Sequence, residues 1–237
     1  MPFLRPGSWD SAIWRSVAQD YPAVPARFAT GDVVLDVGAH IGAFASLAAA
    51  RGARVVAYEA SWHNVALARL NTASCAGVEV RWGAVWRSDL PPSLRWYTPE
   101  ANAANTGGGS VLFPGTAAPG ADATRAGGDA GSGAHAVPGV PLDEILCELG
   151  RVRLLKLDVE GAEVPILATS RELGRVVQIT GESHDLSVER PSRLAPDVRV
   201  AGVPCDASGL AMALGAAGFT VAMTGAGPLR LFNAWRA

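Results

Sequence analysis

VVLDVGAHIGAF, residues 33–44, decides the fold. A run of apolar, β-branched residues ends in Asp36, turns through Gly38 and enters a helix near Gly42. The run is apolar at successive positions instead of alternating. That is the pattern of a strand buried on both faces, so a parallel sheet covered by helices is expected. A glycine at the turn lets backbone approach a ligand, and the helix N-terminus offers free N–H groups to an anionic group such as a carboxylate. A tight βα turn without a ligand reads the same way. The strict G-x-G-x-x-G fingerprint of a dinucleotide site is absent, because the spacing is Gly38-x-x-x-Gly42 and the acid precedes the first glycine.

The same grammar continues on both sides. HIGAFASLAAARGA reads as a helix with Gly52 near its end, RVVAYEA (54–60) as a second strand, WHNVALARLNTASC (62–75) as a helix and VEVRWGAVW (78–86) as a third strand. Farther on, PLDEILCELG (141–150) is a helix, VRLLKLDVE (152–160) a fourth strand, GAEVPILATSREL a helix and RVVQITGES (175–183) a fifth strand. SGLAMALGAAG (208–218) forms the last helix, and FTVAMTG and LRLFNAW, joined across AGP, form an antiparallel C-terminal hairpin. Upstream, residues 1–30 read as an N-terminal flap with a short helix capped by Ser8. Residues 107–139 are so rich in Gly, Ala and Pro that a mobile or hairpin-like insertion is expected there. The expectation is one α/β, Rossmann-like domain spanning 1–237, with a mostly parallel sheet.

Composition supports a single domain. The chain has 237 residues, 49% hydrophobic and 18% charged, enough for a sizeable core and unlike a disordered or fibrous protein. A net charge of -2, a pI near 6.1 and no basic cluster argue against nucleic acid or an anionic membrane as partner. Cys75, Cys147 and Cys205 are widely spaced, which supports neither a disulfide framework nor a zinc knuckle and fits a reducing cytoplasm. MPFLRPGSWD lacks the apolar stretch of a signal peptide, and IGAFASLAAA is too short to span a bilayer, so no membrane association is expected.

Three further stretches carry chemistry. Glu59 ends the second strand, 23 residues after Asp36, where a carboxylate can accept both hydroxyls of a ribose; a solvated strand-end acid is the plainer alternative. Together with Asp36, Gly38 and Gly42 it points to a nucleoside-bearing cofactor. The missing glycine triplet and the terminal hairpin favour S-adenosylmethionine over a dinucleotide. KLDVEGAE places Asp158 and Glu160 at the end of the fourth strand, beside the crevice, and Glu163 at the start of a helix, where it either serves the site or complements the helix dipole. GESHD places Glu182, His184 and Asp185 at the end of the fifth strand. A histidine between acids is either a general base with a raised pKa or a solvated loop residue.

VVLDVGAHIGAF, YEA at 58–60, NTGGGSV at 105–111, KLDVEGAE and Glu182 together resemble the FkbM-type family of S-adenosylmethionine-dependent methyltransferases, over about Val33 to Glu182. The resemblance implies a class I, seven-stranded sheet with an antiparallel seventh strand. It also implies methyl transfer to a hydroxyl or another heteroatom, often on sugars, polyketides or other specialised metabolites such as antibiotics. Its matched positions place Asp36, Gly38, Ala39, His40, Gly42, Glu59, Ala60 and Asp158 at S-adenosylmethionine; by strand-end chemistry Asp158, Glu182 or His184, the last beyond the matched stretch, could accept the acceptor's proton. Asn105, Ser110, Glu160 and Asp185 fall on the substrate side. His40 stands where the family more often has Asn, and the Gly/Ala-rich run after Ser110 is unusually long.

A sulfonium methyl is already electrophilic, so the protein must place a nucleophile in line, exclude water and, for a hydroxyl, take up a proton. Asp158 and Glu182 could share a divalent ion, but the four scattered histidines offer no metal set and none is expected. Asp158, Glu160, Glu182 and Asp185 have no arginine in their turns to balance them, so a cationic small-molecule acceptor is expected, an aminoglycoside-like amino sugar above a neutral polyketide or sugar hydroxyl. The rival readings are a nucleotide-binding oxidoreductase and a noncatalytic cofactor-binding protein.

Overall fold

The computed structural model describes residues 1–91, 93–97, 104–109, 134–186 and 198–236, with backbone alone at 93–97 and 134–135. β1 (Val33–Val37) pairs in parallel with β2 (Arg54–Glu59) on one side and β7 (Leu154–Leu157) on the other. β2 pairs in parallel with β3 (Val78–Trp82), and β7 with β8 (Gln178–His184). β10 (Leu229–Trp235) runs antiparallel between β8 and β9 (Thr220–Thr224). The resulting order is β3-β2-β1-β7-β8-β10-β9, the expected seven-stranded sheet with its antiparallel C-terminal strand.

The continuous apolar reading of β1 has a simple cause. Val34 packs with Tyr21, Phe28 and Phe44 under α1 (Asp10–Asp20) and α2 (Ala43–Ala50) on one face. Its neighbours Leu35 and Val37 pack with Leu146, Ile166 and Leu214 from α4 (Leu142–Leu149), α5 (Glu163–Thr169) and α6 (Ala207–Ala216) on the other. Both faces are cores, so alternation disappears. α2 joins β1 to β2, and α3 (Trp62–Thr72) follows β2 and is capped by Ser61, whose Oγ accepts from Asn64 N at 3.5 Å.

β2 and β3 lie on one side of β1, and β7 and β8 on the other. The carboxyl ends of β1 and β7 therefore part at a topological switch point, the place where an open parallel sheet leaves a crevice for a ligand.

Four local expectations are corrected. VEVRWGAVW is two strands, not one: the chain leaves the sheet at Gly83, and β4 (Ala84–Trp86) joins a second sheet. A side chain at Gly83 would press on Val140 Cγ2 at 3.1 Å and the Pro138 carbonyl at 3.3 Å. The Gly/Ala-rich insertion ends early, because β6 (Ala134–Pro141) is a strand parallel to β4 and antiparallel to β5 (Ser93–Tyr97), an element without a signal in the sequence reading. Val137 of β6 is buried, which anchors a segment whose composition suggests mobility; residues 110–133 lie outside the described set. β7 stops at Leu157, so Asp158 and Glu160 stand beyond the strand. Finally, Trp9, not Ser8, is the residue before α1, and Ser8 Oγ accepts from Asp10 N at 3.3 Å.

The N-terminal flap expected over 1–30 is part of the body of the fold. Tyr21, Val24 and Phe28 are buried, and the Tyr21 ring meets Phe44 edge-on at 5.2 Å.

Candidate active site

A cavity of about 170 Å³, room for several waters and not one, opens at the switch point. Gly38, Ala39 and His40 from the β1–α2 turn line it, with Glu59 and Ala60 from the end of β2, Asp158 and Glu160 after β7, and Glu182 from β8. α1 closes one side through Ile13, Val17, Asp20 and Tyr21.

The protein's sole lysine, Lys156, organises this floor. Parallel pairing sets Asp36 beside Lys156 on adjacent strands, and both are buried. Lys156 Nζ stands 3.4 Å from Asp36 Oδ1 and 3.5 Å from Asp158 Oδ2, and donates to the Gly38 carbonyl at 2.6 Å. Burial alone would depress this ammonium; the carboxylates of Asp36, Asp158, Glu182 and Glu59 more than offset that and hold its pKa above the ordinary lysine value. Asp36 does not line the cavity. It lies behind it and holds the lysine that ties the Gly38 turn to Asp158.

Glu59 is buried at the rear wall. Its Oε2 accepts from His40 N at 2.7 Å, and its Oε1 from Ser61 N at 2.8 Å and Asn64 Nδ2 at 3.4 Å. Burial raises its pKa against these three hydrogen bonds. Burial also drives the His40 imidazole down to about 4, so this ring is neutral near pH 7.

The acids beyond β7 and β8 form a second group. Glu163 Oε1 accepts from Val159 N at 3.1 Å and Gly161 N at 3.2 Å and lies 3.0 Å from His184 Nδ1. His184 Nε2 is 3.6 Å from Glu160 and 3.8 Å from Glu182. Burial works against the imidazolium, but Glu163, Glu160 and Asp158 raise its pKa to about 10. Burial and then Asp158 raise Glu182 to about 7, opposed by His184 and Lys156. Glu160, raised to about 8 chiefly by burial, carries a positive φ of 54°. Asp158, Glu160 and His184 each bring a polar atom within 4.8 Å of the other two, a spacing that can also hold a divalent ion.

Of the residues singled out in the sequence, Gly38, Ala39, His40, Glu59, Ala60, Asp158, Glu160 and Glu182 meet at the cavity. Gly42 is the left-handed residue before α2, packed against Ala68 and Thr72. Asn105 is next to the cavity: its Oδ1 accepts from Gly107 N and Gly108 N at 3.2 and 3.0 Å and so shapes the segment whose Gly107 and Gly109 line the wall. His184 sits behind Glu182, and Asp185, which does not line the cavity, donates its backbone N–H to Pro228 O just before β10. Ser110 lies outside the described residues. The sequence reading did not place Lys156, Tyr21 or the short N-terminal helix at the site. A single lysine inside an apolar strand was a signal for the first; nothing local marks a helix that reaches a distant strand end.

Gly38, at φ +80°, brings its α-carbon so close to the end of the neighbouring strand β7 that a Cβ would lie 1.8 Å from the Asp158 carbonyl oxygen. Gly38→Ala is therefore expected to destabilise the protein by about 2–4 kcal/mol through positive-φ strain and backbone overlap. Urea unfolding checks this; a loss below about 0.5 kcal/mol, within the range of ordinary surface changes, would mean that the turn yields freely.

The cavity suits S-adenosylmethionine by its own lining: the buried carboxylate of Glu59 on the rear wall, and a His40 Nδ1 buried without a hydrogen-bond partner among the described residues. Comparison with known proteins agrees. The methyltransferase FkbM domain matches residues 36–200. Among solved structures, the precorrin-6y C5,15-methyltransferase of Geobacter metallireducens GS-15 superimposes with a TM-score of 0.50 at 10% identity, covering 99% of this chain and 92% of that one. The N-terminal domain of EvdMO1, with S-adenosylhomocysteine bound, gives 0.47 at 14% identity over 96% and 80% of the two chains. No curated protein sequence matches the chain. Among the described residues no helix is long and apolar enough to cross a membrane. With the family domain spanning most of the chain, from the Asp36 turn past Glu182, this protein belongs to the FkbM family of methyltransferases and uses S-adenosylmethionine as its methyl donor.

Proposed function

We propose that this enzyme methylates a hydroxyl or amine of a small, positively charged, sugar-bearing metabolite, an aminoglycoside-like amino sugar being the favoured acceptor. The observation that carries this reading is the charge of the cavity wall: Asp20, Glu59, Asp158, Glu160 and Glu182 face Lys156 as the one cation lining it among the described residues. Burial first, and then the neighbouring carboxylates, raise Glu160 and Glu182 to about 8 and 7. A cationic ligand relieves that crowding. His184 and Lys156 already neutralise part of the cluster, so the acceptor need not be polycationic.

Glu59 would hold the ribose, and the Gly38–His40 turn the amino-acid end of the cofactor. When bound, S-adenosylmethionine supplies a methyl group that needs no further activation. Glu182 then takes the acceptor's hydroxyl proton, because it lines the cavity and its pKa of about 7 suits a base. His184 stays protonated and holds Glu182 and Glu160 in place, a positioning role instead of the basic one. Asp158, tied to Lys156 and accepting from Tyr21 Oη at 3.1 Å, orients the floor and the α1 wall.

A neutral polyketide or sugar hydroxyl is the second reading. It is favoured by the apolar side chains of Ile13, Val17 and Phe44 on the cavity wall.

Mass spectrometry for the gain of one methyl, run across amino sugars, neutral sugars and polyketide alcohols, separates the two. For a cationic acceptor the KM should rise several-fold between about 0.05 and 0.5 M salt, as the Debye length shrinks from over 10 Å to a few ångströms. A neutral acceptor used with a salt-independent KM overturns the favoured reading.

A further inference from the structure

We propose that residues 3–10 form a latch on the cofactor side of the cavity, and that Arg5 and Asp10 are positioning residues for S-adenosylmethionine, acting through Asn64, Thr106 and His40 on Glu59. This rests on the reading of Glu59 as the cofactor's ribose carboxylate.

Residues 1–9 belong to no helix or strand, yet Arg5 among them bonds to Asn64, a buried partner of Glu59. Asp10 is completely buried and its carboxylate accepts from Arg5 N at 3.0 Å, Arg5 Nε at 2.8 Å, Arg5 Nη2 at 3.0 Å and Thr106 Oγ1 at 2.7 Å. Burial opposes its ionisation, but these partners win and hold its pKa at about 2. The bidentate pair leaves Arg5 Nη1 to donate to Asn64 Oδ1 at 2.8 Å.

That contact decides how the Asn64 amide faces. With Oδ1 taken by a guanidinium, Nδ2 must turn the other way, to Glu59 Oε1 and to the Thr106 carbonyl at 3.1 Å. The second branch runs from Asp10 through the Thr106 hydroxyl to His40 Nε2 at 2.9 Å, and the His40 N–H holds the other oxygen of Glu59. Each oxygen of Glu59 is thus tied to the latch by its own path. A second anchor fixes the same turn: Phe3 N donates to Asn71 Oδ1 at 2.6 Å, while Asn71 Nδ2 donates to the Phe3 carbonyl at 3.2 Å and the Ile41 carbonyl at 2.9 Å. A side chain that served only the N-terminus would have no reason to orient the partners of a carboxylate on another strand.

The test is S-adenosylhomocysteine affinity by calorimetry for the wild type, Arg5→Ala, Arg5→Lys and Glu59→Ala, with KM for cofactor and acceptor measured separately. Arg5→Ala should weaken S-adenosylhomocysteine by about tenfold or more, the scale of one lost charge-assisted hydrogen bond, and raise the cofactor KM while leaving the acceptor KM unchanged. Added guanidinium ion at low concentration should recover part of the affinity, and Arg5→Lys should fall between, since lysine supplies the charge without the fork. A purely structural role predicts loss of both KM values together and no rescue; that outcome overturns the latch. Unchanged affinity in Arg5→Ala, with binding lost in Glu59→Ala, overturns the latch and leaves the Glu59 reading standing. Unchanged affinity in both overturns both.

Discussion

Glu182→Gln is expected to lower kcat for a hydroxyl acceptor by about 10²–10⁴-fold, the range that a positioned general base contributes. Glutamine keeps the size and a hydrogen-bonding oxygen on β8 but cannot take a proton. The sign of the pH dependence follows from the direction of the shift. Burial and Asp158 raise the carboxyl to about 7, so in the wild type the basic form is lost as pH falls through 7, and kcat should climb across that value and level off above it. The variant should lose this limb while binding S-adenosylhomocysteine within a few-fold of the wild type. Pre-steady-state rates over pH 5.5–9 with a hydroxyl acceptor measure both. A variant that keeps more than about a tenth of the wild-type rate places the proton acceptor elsewhere, since even the weakest general base contributes more than that.

Glu59→Ala should abolish measurable S-adenosylhomocysteine binding, a loss of about 2–4 kcal/mol if the carboxylate grips two hydroxyls. The structure adds a second reason for a large effect. Glu59 is the common acceptor for His40 N, Ser61 N and Asn64, so its removal frees three donors and slackens the β1–α2 turn as well. Calorimetry should show no binding at cofactor concentrations that saturate the wild type. The circular-dichroism spectrum should be unchanged, because β1 and β2 remain paired through backbone and apolar contacts. Wild-type affinity in this variant would falsify the ribose assignment.

Most of the fold and the outline of the site were legible in local sequence. Val33–Val37 reads as a doubly covered strand because its successive residues feed two separate apolar cores, and the run itself records that. Gly38, Glu59, Asp158 and Glu182 were recognisable because parallel strands in this order deliver their carboxyl ends to one crevice, so position along the strand already implies position in the site. β6 was not legible. Its apolar content is two valines among Ala, Gly and Pro, and its partners β4 and β5 lie tens of residues away, so nothing local announces the pairing.

What the sequence by itself determined is the succession of strands and helices, the class of cofactor and the acids at the strand ends. Periodicity, turn glycines and strand-end chemistry are local properties and survive without knowledge of partners. What only the tertiary structure decided is the state of those acids and what surrounds them. The Asp36–Lys156 pair exists because parallel register sets two strands side by side. His184 is a held imidazolium because Glu163, at the start of a helix after another strand, stands 3.0 Å from its ring. Arg5, far from Glu59 along the chain, reaches it through Asn64 on one path and through Asp10, Thr106 and His40 on another. Charge state and proton affinity depend on through-space neighbours and burial, which fall off over a few ångströms and bear no relation to distance along the chain.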